Sequence, residues 1–226
     1  KRVAPMSCTR KWAAAASAFL AFAGQRTPGV AKISVCNPSR AVDGFESSHT
    51  VVRIVNDDMP FLVDSVRMAL VQSGASLHQI VHPVLAVTRG PDGQLQAVGE
   101  DGPAESPVYL EIDRQPAAAA TQALQATIGS ALADVRASVA DWEQMREKMA
   151  RIADDMDSRP MPVDADSRAE AQAFLRWAVD DHFTFLGYRE YEVSGRQLAV
   201  VPGSGMGLLR GKDDQLAKLQ QLQPQA

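Results

Sequence analysis

The stretch TVVRIVNDDMPFLVDSVRMALVQS, residues 50–73, decides how the rest of the chain is read. Val51, Val52, Ile54 and Val55 form a β-branched apolar run broken only by Arg53, as suits a central strand packed on both faces. Asn56-Asp57-Asp58 stops the run. Either aspartate can accept hydrogen bonds from the free amides of a first helical turn, and Pro60 falls in that turn, where its missing N–H removes no helical bond. Leu62, Val66, Ala69 and Leu70 recur at the spacing of one helical face, and Gly74 stands where a helix turns off in the left-handed conformation. The stretch is therefore predicted as strand, acidic turn and amphipathic helix. Helix amides pointing back over a strand end can build a small-ligand pocket; the same residues also make a plain, well-capped core unit.

Upstream, residues 30–36 alternate, with Val30, Lys32 and Ser34 on one side and Ala31, Ile33 and Val35 on the other, as in a half-buried strand. Residues 12–23 read as an alanine-rich helix carrying Trp12, Phe19, Leu20 and Phe22, broken by Thr27-Pro28-Gly29. This run ends in Ala21-Phe22-Ala23, the small-x-small pattern of a signal-peptidase site. It is mostly alanine and too short to span a bilayer, so it is read as a helix rather than an export signal.

Downstream, residues 76–88 form a second β-rich run containing Pro83. A proline cannot donate to the ladder, which predicts a sheet edge or a bulge. Residues 89–94 carry turn signals, residues 95–98 form a hairpin arm, and residues 99–107 read as a mobile polar loop. Residues 108–113 are predicted as a strand. Pro116 opens a long helical region in which Ile128, Leu132, Val135, Val139, Trp142, Met145, Met149, Ile152 and Met156 make an apolar stripe, with Gly129 marking a kink or a separate first turn. The stripe packs against its own domain or against a second chain. Residues 157–164, with Pro160 and Pro162, read as a linker. A helix over 167–181 with Phe174, Leu175 and Ala178 inward, a strand over 183–193, a turn at 194–196 and a hairpin partner at 198–201 follow. The glutamine-rich tail after Gly211 is expected to fray.

The 226 residues are 46% hydrophobic and 22% charged, an ordinary soluble composition. A formal net charge of −4 with four neutral histidines excludes a polybasic nucleic-acid or anionic-membrane surface, so partners are proteins or small molecules. Cys8 and Cys36 lie at no metal-ligand or redox spacing, which fits a reducing compartment. The uncharged residues 115–133 contain Thr121, Gln122, Gln125, Thr127 and Ser130, too polar for a membrane interior.

Few combinations carry chemistry. His78 and His82, four apart on a strand, are separated by about 13 Å and cannot ligate one ion. Asp180-Asp181-His182 has no nucleophile beside it and reads as the solvated end of a helix. Pro202-Gly203-Ser204-Gly205-Met206-Gly207 fails as a dinucleotide turn, because Leu208 stands where the third glycine belongs, and no helix is predicted to begin there. No Walker sequence, zinc framework or nucleophile elbow is present.

The order strand, helix, strand, strand, helix, strand predicts an α+β, ferredoxin-like βαββαβ antiparallel sheet with long additional helices. Asn56-Asp57-Asp58-Met59-Pro60-Phe61-Leu62 resembles the strand-to-helix loop of ACT domains, amino-acid-sensing modules of metabolic enzymes. Phe61 stands where ligand-holding ACT loops usually carry glycine. Four segments, QRTPGVAKISVCNP (25–38), HTVVRIVNDDMPFLVDSV (49–66), IVHPVLAV (80–87) and FLRWAVDDHFTFLGYREYEV (174–193), resemble in order the N-terminal region of the large bacterial NAD-dependent glutamate dehydrogenases.

The resemblance implies a cytoplasmic parent enzyme that oxidatively deaminates glutamate to 2-oxoglutarate, with NAD bound far downstream and no cofactor, metal or catalytic residue in this chain. It implies an N-terminal helix and strand over 1–48, an ACT-like domain with a long helical insertion over 49–193, and a hairpin opening a further segment over 194–226. The implied partners are the downstream catalytic region of the same chain, further copies in a homo-oligomer, and an amino-acid effector at Asn56, Asp57, Asp58, Met59 and Pro60. The alternatives are a ligand-free oligomerisation module and a stand-alone ACT-like amino-acid-binding domain. An RNA-binding ferredoxin-like domain is disfavoured by the negative charge and by Tyr109 as the single stacking aromatic of residues 108–113.

Overall fold

Strand β2 (Thr50–Asp57) lies between β1 (Lys32–Cys36) and β6 (Ala104–Ile112), antiparallel to both, so the run read as a central strand is one. The computed structural model describes residues 8–99, 101–158, 162–194 and 197–212. It divides into two units, Lys1–Ala133 and Asp134–Ala226.

In the first unit the sheet runs β1-β2-β6-β4-β5, with β4 at Leu85–Arg89 and β5 at Leu95–Gly99; β3 (Leu77–Val81) also pairs with β6. Residues 76–88 are therefore two strands along one partner, with Pro83 in the gap between them and a bulge between Leu77 and Gln79. This is the interruption that a residue without an amide donor imposes. The hairpin β4–β5 forms as expected. Residues 104–107, read as loop, instead belong to β6, where Glu105 is buried by pairing across Asp57 and Leu85.

One face of the sheet carries the main core. Val52 and Ile54 of β2 and Val108, Leu110 and Ile112 of β6 pack against Leu62, Val66 and Leu70 of α2 (Leu62–Gln72). Leu124, Ile128 and Leu132, from the first part of α3, complete that layer. Helix α3 runs unbroken over Ala118–Asp155, so Gly129 does not end a separate first turn. The opposite face is partly covered by α1 (Cys8–Ala23), whose Ala15 packs with Phe45, Val51 and Tyr109. The outer-edge Val35 amide of β1 donates to Gln125 Oε1 at 3.2 Å, which blunts that edge.

This is an ACT-like α+β fold with one change of order. The place beside β2 that the last strand of a βαββαβ unit occupies is held by β1, which precedes it in the chain. Residues 183–193 do not pair there.

In the second unit the remainder of α3 packs Met145 with Ala178 and Phe185. The expected stripe holds at Met145 and Met156, which are buried, but Ser138 and Asp141 are buried outside it and Ile152 within it is exposed. Helix α4 (Ala165–Trp177) is capped by Asp164, whose side chain accepts from the Ser167 amide at 2.8 Å, and its continuation over Ala178–His182 is broken by non-helical backbone at Asp180 and Asp181. Phe174, expected inward, is exposed and stacks on Trp177. Residues 183–193 form two short strands rather than one, β7 (Gly187–Tyr188) and β8 (Tyr191–Ser194), which pair with β10 (Met206–Gly207) and β9 (Gln197–Val200). The β8–β9 hairpin matches expectation; Gly195, Arg196, Pro160 and the glutamine-rich tail lie outside the described residues. No helix among the described residues is long and apolar enough to cross a membrane.

Candidate functional site

The acidic turn is held from inside the protein. Asn56, at the buried end of β2, donates through Nδ2 to the Asp57 carbonyl at 2.9 Å. Asp57 Oδ1 accepts from Arg26 Nη2 at 2.6 Å. Asp58 Oδ1 accepts from the Ser106 hydroxyl at 2.6 Å, and its amide donates to the Ala104 carbonyl at 2.9 Å. Met59 packs on the core, and Pro60 is exposed. The five expected site residues thus span the end of β2 and the turn that follows it, with both carboxylates already engaged by protein groups.

The capping role expected of Asp57 and Asp58 is not what these residues do. Helix α2 starts two residues later than the proline suggested, and no side chain caps it. Phe61 is its N-cap, in the left-handed region at φ 63°, ψ 5°, with its ring exposed. The position is therefore shaped as a glycine position although a bulky residue occupies it, an arrangement that stores roughly 1 kcal/mol or more of strain. The far end follows expectation: Gly74 has φ 70°, and the Ala75 amide reaches back to the Leu70 carbonyl at 3.0 Å.

Arg26 is the residue that sequence reading missed. It leaves the loop after α1, which is pinned to the β4–β5 turn by the Arg26 amide on the Gly93 carbonyl at 3.1 Å and the Leu95 amide on the Gly24 carbonyl at 2.8 Å. Its guanidinium donates to Val30 O at 3.0 Å, to Asp57 and, at 2.7 Å, to Glu105 Oε1. Arg89 closes the other side of Glu105. Burial raises the Glu105 pKa, but the hydrogen bonds and charges of Arg89 and Arg26 outweigh it and hold the carboxyl below its ordinary range. The partners lie 79 and 16 residues from Glu105, so no local pattern announces the cluster.

Beside this network, between α1 and the sheet, lies an apolar cavity of about 380 Å³. Trp12, Ala16 and Leu20 line one wall, Val81, Val87 and Val98 another, and Arg89, Glu105 and Tyr109 also border it.

The remaining sequence candidates stay apart. His78 Nε2 bonds Asp113 Oδ1 at 2.7 Å and its ring lies 4.5 Å from that of His49, whereas His82 Nε2 is buried without a hydrogen-bond partner. Among the described residues, no group of three or more His, Cys, Asp or Glu side chains could hold a metal ion. Asp181, left-handed at φ 55°, pairs with Arg146 at 3.0 Å, and His182 Nδ1 lies 3.0 Å from the Trp177 carbonyl. In the glycine-rich turn, the Gly207 amide donates to the buried Asp141 at 2.7 Å, and no helix follows among the described residues.

An ACT-like sheet with its strand-to-helix turn defines a class of modules, and comparison with known proteins narrows it. Residues 6–128 match the family model described as Glutamate dehydrogenase, ACT1 domain, and the chain belongs to that family. It is 38% identical over 200 residues to the NAD-specific glutamate dehydrogenase of Halomonas elongata, a match covering 84% of this chain and 12% of the relative. The corresponding enzyme of Pseudomonas aeruginosa is 38% identical over 189 residues, 79% of this chain and 12% of its own length. That of Mycobacterium tuberculosis is 26% identical over 168 residues, 71% and 10% respectively. The match thus spans about an eighth of the length of the first two of these curated relatives.

Proposed function

We propose that this chain is the N-terminal regulatory and assembly portion of a large cytoplasmic NAD-dependent glutamate dehydrogenase. The whole enzyme converts L-glutamate to 2-oxoglutarate with reduction of NAD, and this portion is non-catalytic by itself. The observation that carries the reading is the combination of an ACT1-domain match over residues 6–128 with 38% identity to enzymes of which the match covers 12%. In this role the module biases the downstream catalytic region and contributes to a homo-oligomer, its affinity for an effector differing between the states it couples.

An amino-acid effector at Asn56–Pro60 must compete with Arg26 for Asp57 and with Ser106 for Asp58, which makes the turn selective for a ligand bringing its own cation. The isolated chain, given glutamate and NAD, is expected to form no NADH; NADH formation by it would overturn the non-catalytic reading. In the full-length enzyme, replacing Asp57 and Asp58 by alanine is expected to leave NADH formation in place and to remove the calorimetric heats of amino acids other than the substrate glutamate. Unchanged heats in that variant would take the effector away from this turn.

A further inference from the structure

We propose that the cavity between α1 and the sheet is a binding site for the hydrocarbon portion of a small amphiphile, such as a medium-length acyl chain, whose polar head stays in water. The inference concerns binding alone and does not depend on the regulatory reading above.

The first argument is charge. Arg26, Arg89, Asp57 and Glu105 balance one another, two cations against two carboxylates. The polar groups facing the cavity already hold protein partners. Arg89 uses Nε and Nη2 on Glu105 and Nη1 on the Gly93 carbonyl, and the Tyr109 hydroxyl donates to Glu111 at 2.9 Å. A zwitterionic amino acid or a phosphate entering here would lose its water, and the groups it met would already be neutralised by protein partners, at a cost of several kcal/mol. A hydrocarbon body meets no such penalty and gains about 25 cal/mol for each Å² of apolar surface removed from water.

The second argument is shape. A cavity of about 380 Å³ lies in the range of small-molecule sites, which are roughly 300–1,000 Å³. It exists because α1 presents Ala15, Ala16 and Ala23 to the sheet where larger side chains would fill the space. Its rim is apolar as well: Leu20, Val81 and Val98 are 58%, 44% and 50% exposed. A ligand tail would cover these side chains as it entered.

The test uses the chain of 226 residues. Decanoate is titrated while tryptophan fluorescence is followed, since Trp12 borders the cavity, and displacement of anilinonaphthalene sulfonate gives a second reading. Free leucine is the comparison, having a branched apolar tail but a zwitterionic head next to it. Saturable decanoate binding without leucine binding is expected. Ala16→Phe fills the space from an exposed helix position, and Val81→Asp puts a charge on the wall; each is expected to weaken decanoate binding about tenfold or more. Thermal melting establishes that both variants are folded, and if one is not, the other decides. Absent decanoate binding, or affinity unchanged in a folded variant, overturns the proposal. So does sedimentation showing that the chain self-associates and that the substitutions abolish association rather than ligand binding, which would make the surface a subunit contact.

Discussion

Arg89 grips Glu105 with two parallel bonds, Nε to Oε1 at 2.7 Å and Nη2 to Oε2 at 2.9 Å, with both side chains about 7% exposed. Removing one member of such a pair strands the other charge away from water. Arg89→Ala is expected to lower the unfolding free energy by about 3 kcal/mol in urea titration, and Glu105→Ala to do the same by leaving two guanidinium groups facing each other.

The same pairing sets the response to acid. The folded Glu105 and Glu111 carboxyls lie below their ordinary range: burial raises each, but Arg89 and Arg26 outweigh it for Glu105, while Lys11, Tyr109 and His49 do so for Glu111. A lowered folded pKa gives stability that is complete above the unfolded value, about 4.3, and is lost as pH falls through the folded one. Urea midpoints are expected to hold steady from neutral pH to about 5 and fall below about 4, with a weaker acid dependence in Glu105→Gln.

Alkali acts through tyrosine. Burial, followed by the hydrogen bond to Glu190, pushes Tyr188 up to about 12, and burial with the Glu111 bond raises Tyr109 as well. A raised folded value means that the stabilising neutral form persists below the unfolded pKa, about 10, and is lost as pH rises through the folded one. Absorbance at the phenolate band is expected to show both residues ionising late, together with loss of folded signal.

At Phe61 the backbone takes a conformation that glycine adopts without strain. The ring is 54% exposed, so little burial is at stake. Phe61→Gly is expected to raise the unfolding free energy by about 0.5 to 1 kcal/mol, checked by urea titration. A loss of stability would mean that the ring's contacts outweigh the strain.

Asp141, 1% exposed, accepts from the Gly207 amide and from Arg210 Nε at 3.1 Å, and Arg210 Nη2 also contacts it. Asp141→Ala is expected to destabilise the second unit by about 2 kcal/mol. Hydrogen exchange checks this: the Gly207 amide should lose protection while the Val52 and Leu110 amides of the first unit keep theirs.

Much of this architecture could be read locally. Val51 to Val55, the α2 face and the Gly74 terminus each carry their signal within a few residues, and the outcome agrees. Pro83 pointed to an edge or a bulge, which holds for β3, whereas β4 lies inside the sheet between β6 and β5. The misreadings share a cause, which is distance along the chain. The 104–107 segment looks like loop because Glu105 is charged, and its burial is intelligible once Arg26 and Arg89 are beside it. The stripe along α3 drifts because Asp141 is drawn inward by Arg210, 69 residues away. Asp57 and Asp58 look like caps, yet their partners come from residues 26 and 106. The acidic turn was legible only as a set of neighbours, since side-chain pairing decides what those neighbours can hold.

The placement of β1 beside β2 has a further meaning for how such a chain can grow. In the usual order, the second helix must turn back so that a final strand can complete the sheet, which limits the helix to about the length of that sheet. Here every strand of the sheet has been laid down by Ile112, six residues before α3 begins at Ala118. The helix is released from returning, and its 38 residues run past Ala133 into the second unit. A module finished before its last helix can be joined to further sequence without reopening its sheet, an order of construction suited to the front of a long polypeptide.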